Sequence, residues 1–126
     1  MNAAARVARE CEAWEDVCPL DDVLPGTGVC AMVAGQQVAL VRTASPDALY
    51  AIGNFDPFSK AFVLSRGIVG DRAGVPKIAS PIYKQSFDLR TGECLDDAQV
   101  RVPTYDVRVE QGRILVYREP RRIGTR

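Results

Sequence analysis

The sequence predicts an antiparallel, mostly β domain: a β-sandwich or partly open barrel with a smaller, loop-rich subdomain in its middle. Three observations lead there. Short apolar runs recur along the chain, each bounded by glycine, proline or aspartate, which is the punctuation of strands and turns. Residues 105–109 alternate strictly between apolar and polar side chains, and 113–117 follow across Gln111-Gly112 as a mostly apolar run with β-branched residues, the pattern of a hairpin. No stretch carries a long amphipathic helical pattern, a heptad or an internal repeat.

Each element follows in order. Residues 1–13 are alanine-rich with scattered charge and are expected to be a tail, at most a short frayed helix. Trp14 opens the domain on a first strand over 14–17 and covers one end of the core. A loop follows, closed by Pro25-Gly26. Residues 29–33, 37–42 and 48–52 give three strands, the first two joined by a turn at Gly35, as an antiparallel meander. The segment 53–82 breaks this rhythm with Gly53, Gly67, Gly70 and Gly74 and with Pro57, Pro76 and Pro81. It holds only two short strand candidates, 67–69 and 76–79. Irregular segments this long in a small domain carry function or an interface. Residues 86–89 return to strand, and Arg90-Thr91-Gly92 turns the chain. After the hairpin, 118–126 is a basic tail expected to lie in solvent. The domain is thus 14–117, the loop-rich subdomain about 53–92.

Composition excludes several classes. The chain of 126 residues is 47% apolar and 25% charged, ordinary for one soluble domain. Sixteen basic residues balance sixteen acidic ones, which argues against nucleic acid as the main partner, since phosphate binding needs a basic surplus. No apolar run is long enough to span a bilayer and the start does not read as a signal peptide, so no membrane partner and a cytoplasmic location are expected. There is no histidine, hence no Ser-His-Asp triad, no histidine-ligated zinc and no proximal haem histidine. Cys11, Cys18, Cys30 and Cys94 form no Cys-x-x-Cys pair and read as free thiols, with Cys30 in the core.

The middle of the chain has a recognisable frame: Asn54-Phe55-Asp56-Pro57-Phe58, then Ser80-Pro81-Ile82-Tyr83, then Phe87-Asp88-Leu89-Arg90-Thr91-Gly92. It resembles the Rieske fold, in which a Cys-x-His loop and a Cys-x-x-His loop clamp a two-iron cluster through two cysteines and two histidines. Asp56 stands at the first cysteine position and Phe58 at the first histidine. Ser80 and Tyr83 stand at the second pair. All four ligands are replaced, and carboxylate and serine oxygen are poor replacements for two thiolates on a soft sulfide cluster. The expectation is that the two loops pack directly on each other, with Phe58 and Tyr83 filling the space, because a void would be costly.

The segments 52–58, 63–71 and 80–85 together are similar to the small subunit of assimilatory NAD(P)H-dependent nitrite reductase, a subgroup that also lacks the ligands. The Leu64-Ser65-Arg66-Gly67 stretch between the loops carries the likeness. The resemblance implies a helper without catalytic residues or cofactor of its own. FAD, an iron–sulfur cluster and sirohaem are expected in the large subunit that is its partner, which reduces nitrite to ammonia. Two other readings stay open: a Rieske-type ferredoxin relaying electrons, or a β-sandwich interaction module for another oxidoreductase. Asp56, Asp71 and Asp88 read as turn caps. The glycines of 65–72 lack the Gly-Lys-Ser/Thr ending of a phosphate loop. As interface candidates the loops offer Phe55, Phe58, Phe62 and Tyr83 as apolar anchors, with Arg66, Arg72, Lys77 and Lys84 as steering charge.

Overall fold

Turn chemistry sets the topology. Three two-residue connections, Ala34-Gly35, Ala73-Gly74 and Gln111-Gly112, have positive φ at both positions, the twist that matches right-handed strand pairs. In a computed structural model that describes residues 13–122, these turns join β2 (Thr27–Val33) to β3 (Gln36–Ala44), β7 (Ile68–Arg72) to β8 (Val75–Ala79), and β11 (Val107–Glu110) to β12 (Arg113–Tyr117). The other strands are β1 (Trp14–Pro19), β4 (Asp47–Gly53), β5 (Phe55–Asp56), β6 (Ala61–Phe62), β9 (Ser86–Asp88) and β10 (Thr104–Tyr105), with single 3-10 turns at Leu20–Asp22 and Leu64–Arg66. The fold is mostly β, as expected, and its sheets are open rather than closed into a barrel.

The meander forms the centre. Strands run in the order β10-β4-β3-β2, and this sheet buries both faces. One face, with Val38, Leu40 and Ala51, packs on a three-stranded sheet ordered β1-β12-β11 through Ile114 and Val116. The opposite face, with Ala39, Val41 and Ile52, is covered by Leu64, Ile78, Phe87 and Leu89 from the loop-rich middle and by Cys94 and Val102 just after it. Side chains alternate across a strand, so the continuous apolar run of β3 feeds two cores at once. Trp14 closes the edge of the outer sheet, its ring 5.3 Å from that of Tyr117 and under the Arg108 guanidinium at 4.2 Å.

Three expectations need correction. The strand expected over 105–109 is two strands. Thr104 and Tyr105 pair with Ile52 and Ala51 in the central sheet, while residues 107–110 pair with β12 in the outer one. The chain changes sheets at Asp106, and alternation on both sides of the switch hides it. The basic tail is docked through its first residues: Arg118 N–H donates to Ala13 O at 2.9 Å and Arg121 N–H to Thr104 O at 2.7 Å. The Arg121 guanidinium also reaches Asp106 at 3.5 Å and Arg90 O at 3.2 Å. Cys30 is exposed, not core, while Cys94 is buried, and both are free thiols with Cys18. Cys11, most of the expected N-terminal tail and Arg126 lie outside the described residues.

Candidate interaction site at the converging loops

The first loop is a small hairpin. Phe55 pairs with Phe62 and Asp56 with Ala61, and Lys60, at φ 62°, donates its N–H to Asp56 O at 2.8 Å. Pro57 starts the turn and Asp56 caps it: Oδ1 accepts from Phe58 N–H at 2.9 Å, and Oδ2 from Ser59 Oγ at 2.8 Å. The second loop closes from Ser80 to Gln85, whose carbonyl accepts from Ser80 N–H at 2.9 Å. Ser80 is a hub inside it. Its carbonyl accepts from Lys84 N–H at 3.1 Å and its hydroxyl accepts from Ile82 N–H at 3.2 Å.

One bond joins the loops. Ser80 Oγ donates to Asp56 Oδ2 at 2.6 Å, and both residues are fully buried. Burial pushes the Asp56 carboxyl up, but the hydrogen bonds from Ser80, the Phe58 amide and Ser59 outweigh it and hold the group below the usual carboxylate range. Such short charge-assisted bonds are the strong kind. A carboxylate saturated in this way caps a turn and clasps a neighbour. It has no proton to move and no open lone pair aimed at solvent. Asp71 and Asp88 are turn caps too, accepting from Gly74 N–H at 3.1 Å and Arg90 N–H at 2.8 Å.

The loops do touch, but aromatic filling is not what joins them. Phe58 is half-buried with its ring 6.2 Å from that of Phe87. Tyr83 is 61% exposed. It sits on the tight turn before Lys84, whose φ is 67°, and the side chain is carried outward. The gap expected to need a phenol is already spanned by the carboxylate and hydroxyl. Among the other candidates, Phe55 and Phe62 are exposed and meet edge-on at 5.0 Å. Arg66 is exposed. Arg72 is committed to the fold, bonding Asp96 at 3.1 Å and Ser86 Oγ at 3.2 Å. Lys77 is half-buried, and Lys84 Nζ donates to Pro81 O at 3.0 Å.

Asn54 and Ser59 were missed in the sequence. Asn54 is buried and ties the end of β4 to the Leu64–Arg66 turn. Its Oδ1 accepts from Ser65 N–H at 2.7 Å and its Nδ2 donates to Gln37 Oε1 at 3.1 Å. The signal for Ser59 was present, since a hydroxyl three residues after a turn aspartate is a capping pattern. Asn54 carried none.

Residues 13–117 match the family model for the Rieske-like [2Fe-2S] domain. The chain belongs to that family. The Salmonella typhimurium nitrite reductase (NADH) small subunit is 48% identical over 99 residues, covering 79% of this chain and 92% of that protein. A Mycobacterium tuberculosis crystal structure, described as an NADH-dependent nitrite reductase small subunit, superposes with a TM-score of 0.80 at 50% identity over 84% of this chain and 95% of that one. A segment of the Klebsiella oxytoca nitrite reductase [NAD(P)H] large subunit is also similar, 40% identical over 103 residues, which is 82% of this chain but 11% of that protein.

The Rieske-like chain does not have a donor set that fits the cluster after which its family is named. A Rieske centre takes two thiolates and two imidazoles. Phe58 has no donor atom, Tyr83 faces solvent, and Asp56 and Ser80 are bonded to each other. Among the described residues no three His, Cys, Asp or Glu side chains converge as a metal site. No chemistry through a cluster is derived from these loops.

Proposed function

We propose that this chain is the small, non-catalytic subunit of a cytoplasmic NAD(P)H-dependent nitrite reductase, and that it supports a large subunit which carries the redox groups and reduces nitrite to ammonia. The observation that carries this is the Klebsiella relative. There a segment like this whole domain is part of the large chain itself. A domain fused to the catalytic chain in one protein and separate in another works beside that chain, because fusion only raises the effective concentration of a contact that already has a use. The near full-length likeness to small subunits supports the same reading. The loops supply the chemical reason for a supporting role. The carboxylate of Asp56, bonded to the Ser80 hydroxyl, is spent on holding the fold. No helix among the described residues is long and apolar enough to cross a membrane, which is compatible with a cytoplasmic partner.

Co-purification with the flavin and sirohaem chain tests the proposal. The expected result is a stable complex and faster or longer-lived nitrite turnover when this chain is present. A large subunit that neither retains this chain nor changes its turnover on addition would end the reading.

A further inference from the structure

One face of the central sheet is covered for most of its length and open at one corner. The covered part holds Ala39, Val41 and Ile52 beneath Leu64, Ile78 and Phe87. Two residues back along β3 from Ala39, on the same face, lies Gln37. Across from it in register is Met32 on β2, the end strand of the sheet among the described residues. Cys30 shares that face: its Sγ lies 3.5 Å from Gln37 Oε1 and from Asn54 Nδ2. The irregular middle presses closely on β2 at its start, where a Cβ on Gly28 would sit 2.8 Å from the Ser65 carbonyl oxygen, and reaches Cys30 through the Asn54 amide. Beyond Cys30 the face is open at Met32. Met32 is 56% exposed, and Phe62 is 54% exposed beside Phe55. Between the Phe55–Phe62 pair and Gln37 lies a groove of about 150 Å³, walled by Gly53, Pro103 and Tyr105.

We infer, on the strength of the small-subunit reading above, that this corner is where the chain docks on the large subunit. Met32, Phe55 and Phe62 supply the apolar contact, and the groove beside Gln37 receives one apolar side chain of the partner. The physical grounds are an exposed edge-to-face aromatic pair next to a pocket, the arrangement in which a few residues carry most of an interface's energy, on a face that is core everywhere else. The occupant is the large subunit because a domain of this kind is built into that chain in the Klebsiella relative, so in that protein a surface of the domain adjoins the rest of the chain. The corner keeps Phe55 and Phe62 from the anchors read from the sequence, adds Met32, and leaves out Phe58, Tyr83 and the basic residues. Arg72 is paired within the domain, and Lys84 folds back on its own loop. Charge on that side is left to steer rather than to hold.

The test uses the full-length chain and the intact large subunit, with affinity measured on an immobilised large subunit. Phe62→Ser and Met32→Ser should each weaken binding at least about tenfold, with unchanged circular dichroism; the urea midpoint should hold in Met32→Ser and fall only slightly in Phe62→Ser, which loses its edge-on contact with Phe55. Tyr83→Ser and Arg66→Ser should stay within about twofold of wild type. Hydrogen exchange of the wild-type complex, which needs no variant, should show slowed amides around 30–32, 36–37, 55 and 62. Several results would overturn the inference: wild-type affinity in both corner variants, protection confined to 81–84, or a free wild-type dimer that Phe62→Ser dissolves. A wild-type chain that fails to bind the large subunit at all would remove the small-subunit reading together with it. Wild-type binding with indifferent corner variants removes the corner alone.

Discussion

A carboxylate withdrawn from water keeps its charge only where hydrogen bonds replace hydration. Asp56 meets that condition with Ser80, Ser59 and the Phe58 amide as donors. Asp56→Asn keeps the size but turns an NH₂ group toward those donors. It should lower stability at neutral pH by about 1.5–3 kcal/mol, measured by urea denaturation. Because the folded pKa is held below the unfolded one, the clasp's contribution is complete above the unfolded value of about 3.9 and is lost as pH falls through the folded value. The gap between wild type and Asp56→Asn should therefore shrink at about pH 3. A gap of equal size at both pH values would mean that the carboxylate is not ionised in the fold. Asn54 works on the same principle without charge. Asn54→Ala leaves the Ser65 amide without its partner and should cost about 1–3 kcal/mol, with faster exchange of that amide as the local readout.

Among the elements, glycines in turns separate two kinds of constraint. Gly35 has φ 80° and open space around its Cβ position. Gly35→Ala pays only the left-handed strain of about 1–2 kcal/mol. Gly92 has φ 82°, and a Cβ there would run into the Val102 carbonyl oxygen, to which the chain is also tied by the Val102 N–H bond to Gly92 O at 2.8 Å. Gly92→Ala should cost about 2 kcal/mol more than Gly35→Ala in the same urea assay. Equal losses would show that the 88–92 turn yields easily. That turn matters because it carries Phe87 and Leu89 into the core beneath the loops, so loosening it would loosen the layer that holds Ser80.

For the whole molecule, the decisive feature is one sheet with two buried faces. Leu40 points into one core and Val41 into the other. Leu40→Ala and Phe87→Ala remove fully buried side chains from opposite faces and should lower stability by about 2–5 and 3–5 kcal/mol. Because β3 and β4 belong to both cores, both variants should still unfold in one step. Trp14 fluorescence reports the outer sheet and far-ultraviolet circular dichroism the whole, so their transitions should coincide. Separate midpoints in Phe87→Ala would show that the irregular middle unfolds on its own.

Most strand positions, the three-strand meander, the terminal hairpin and the frame of the two loops were legible in the residues, because alternation, X-Gly turns and Asp-Pro or Ser-Pro starts act over a few neighbours and need no partner to be read; the two-residue strands β5 and β6 were not, being too short to carry a pattern. Tertiary structure decided the rest. Period-2 alternation is the same in either sheet, so the switch at Asp106 left no mark on the pattern. In an all-apolar run such as Val29-Cys30-Ala31-Met32-Val33 each face looks like core, and only the reach of the loop layer determined that Cys30 and Met32 remain bare. Local spacing placed Asp56 and Ser80 in facing loops. That a hydrogen bond, rather than the ring of Tyr83, closes the distance between them depends on where the two backbones come to rest, a distance set by packing of the whole middle segment on the sheet.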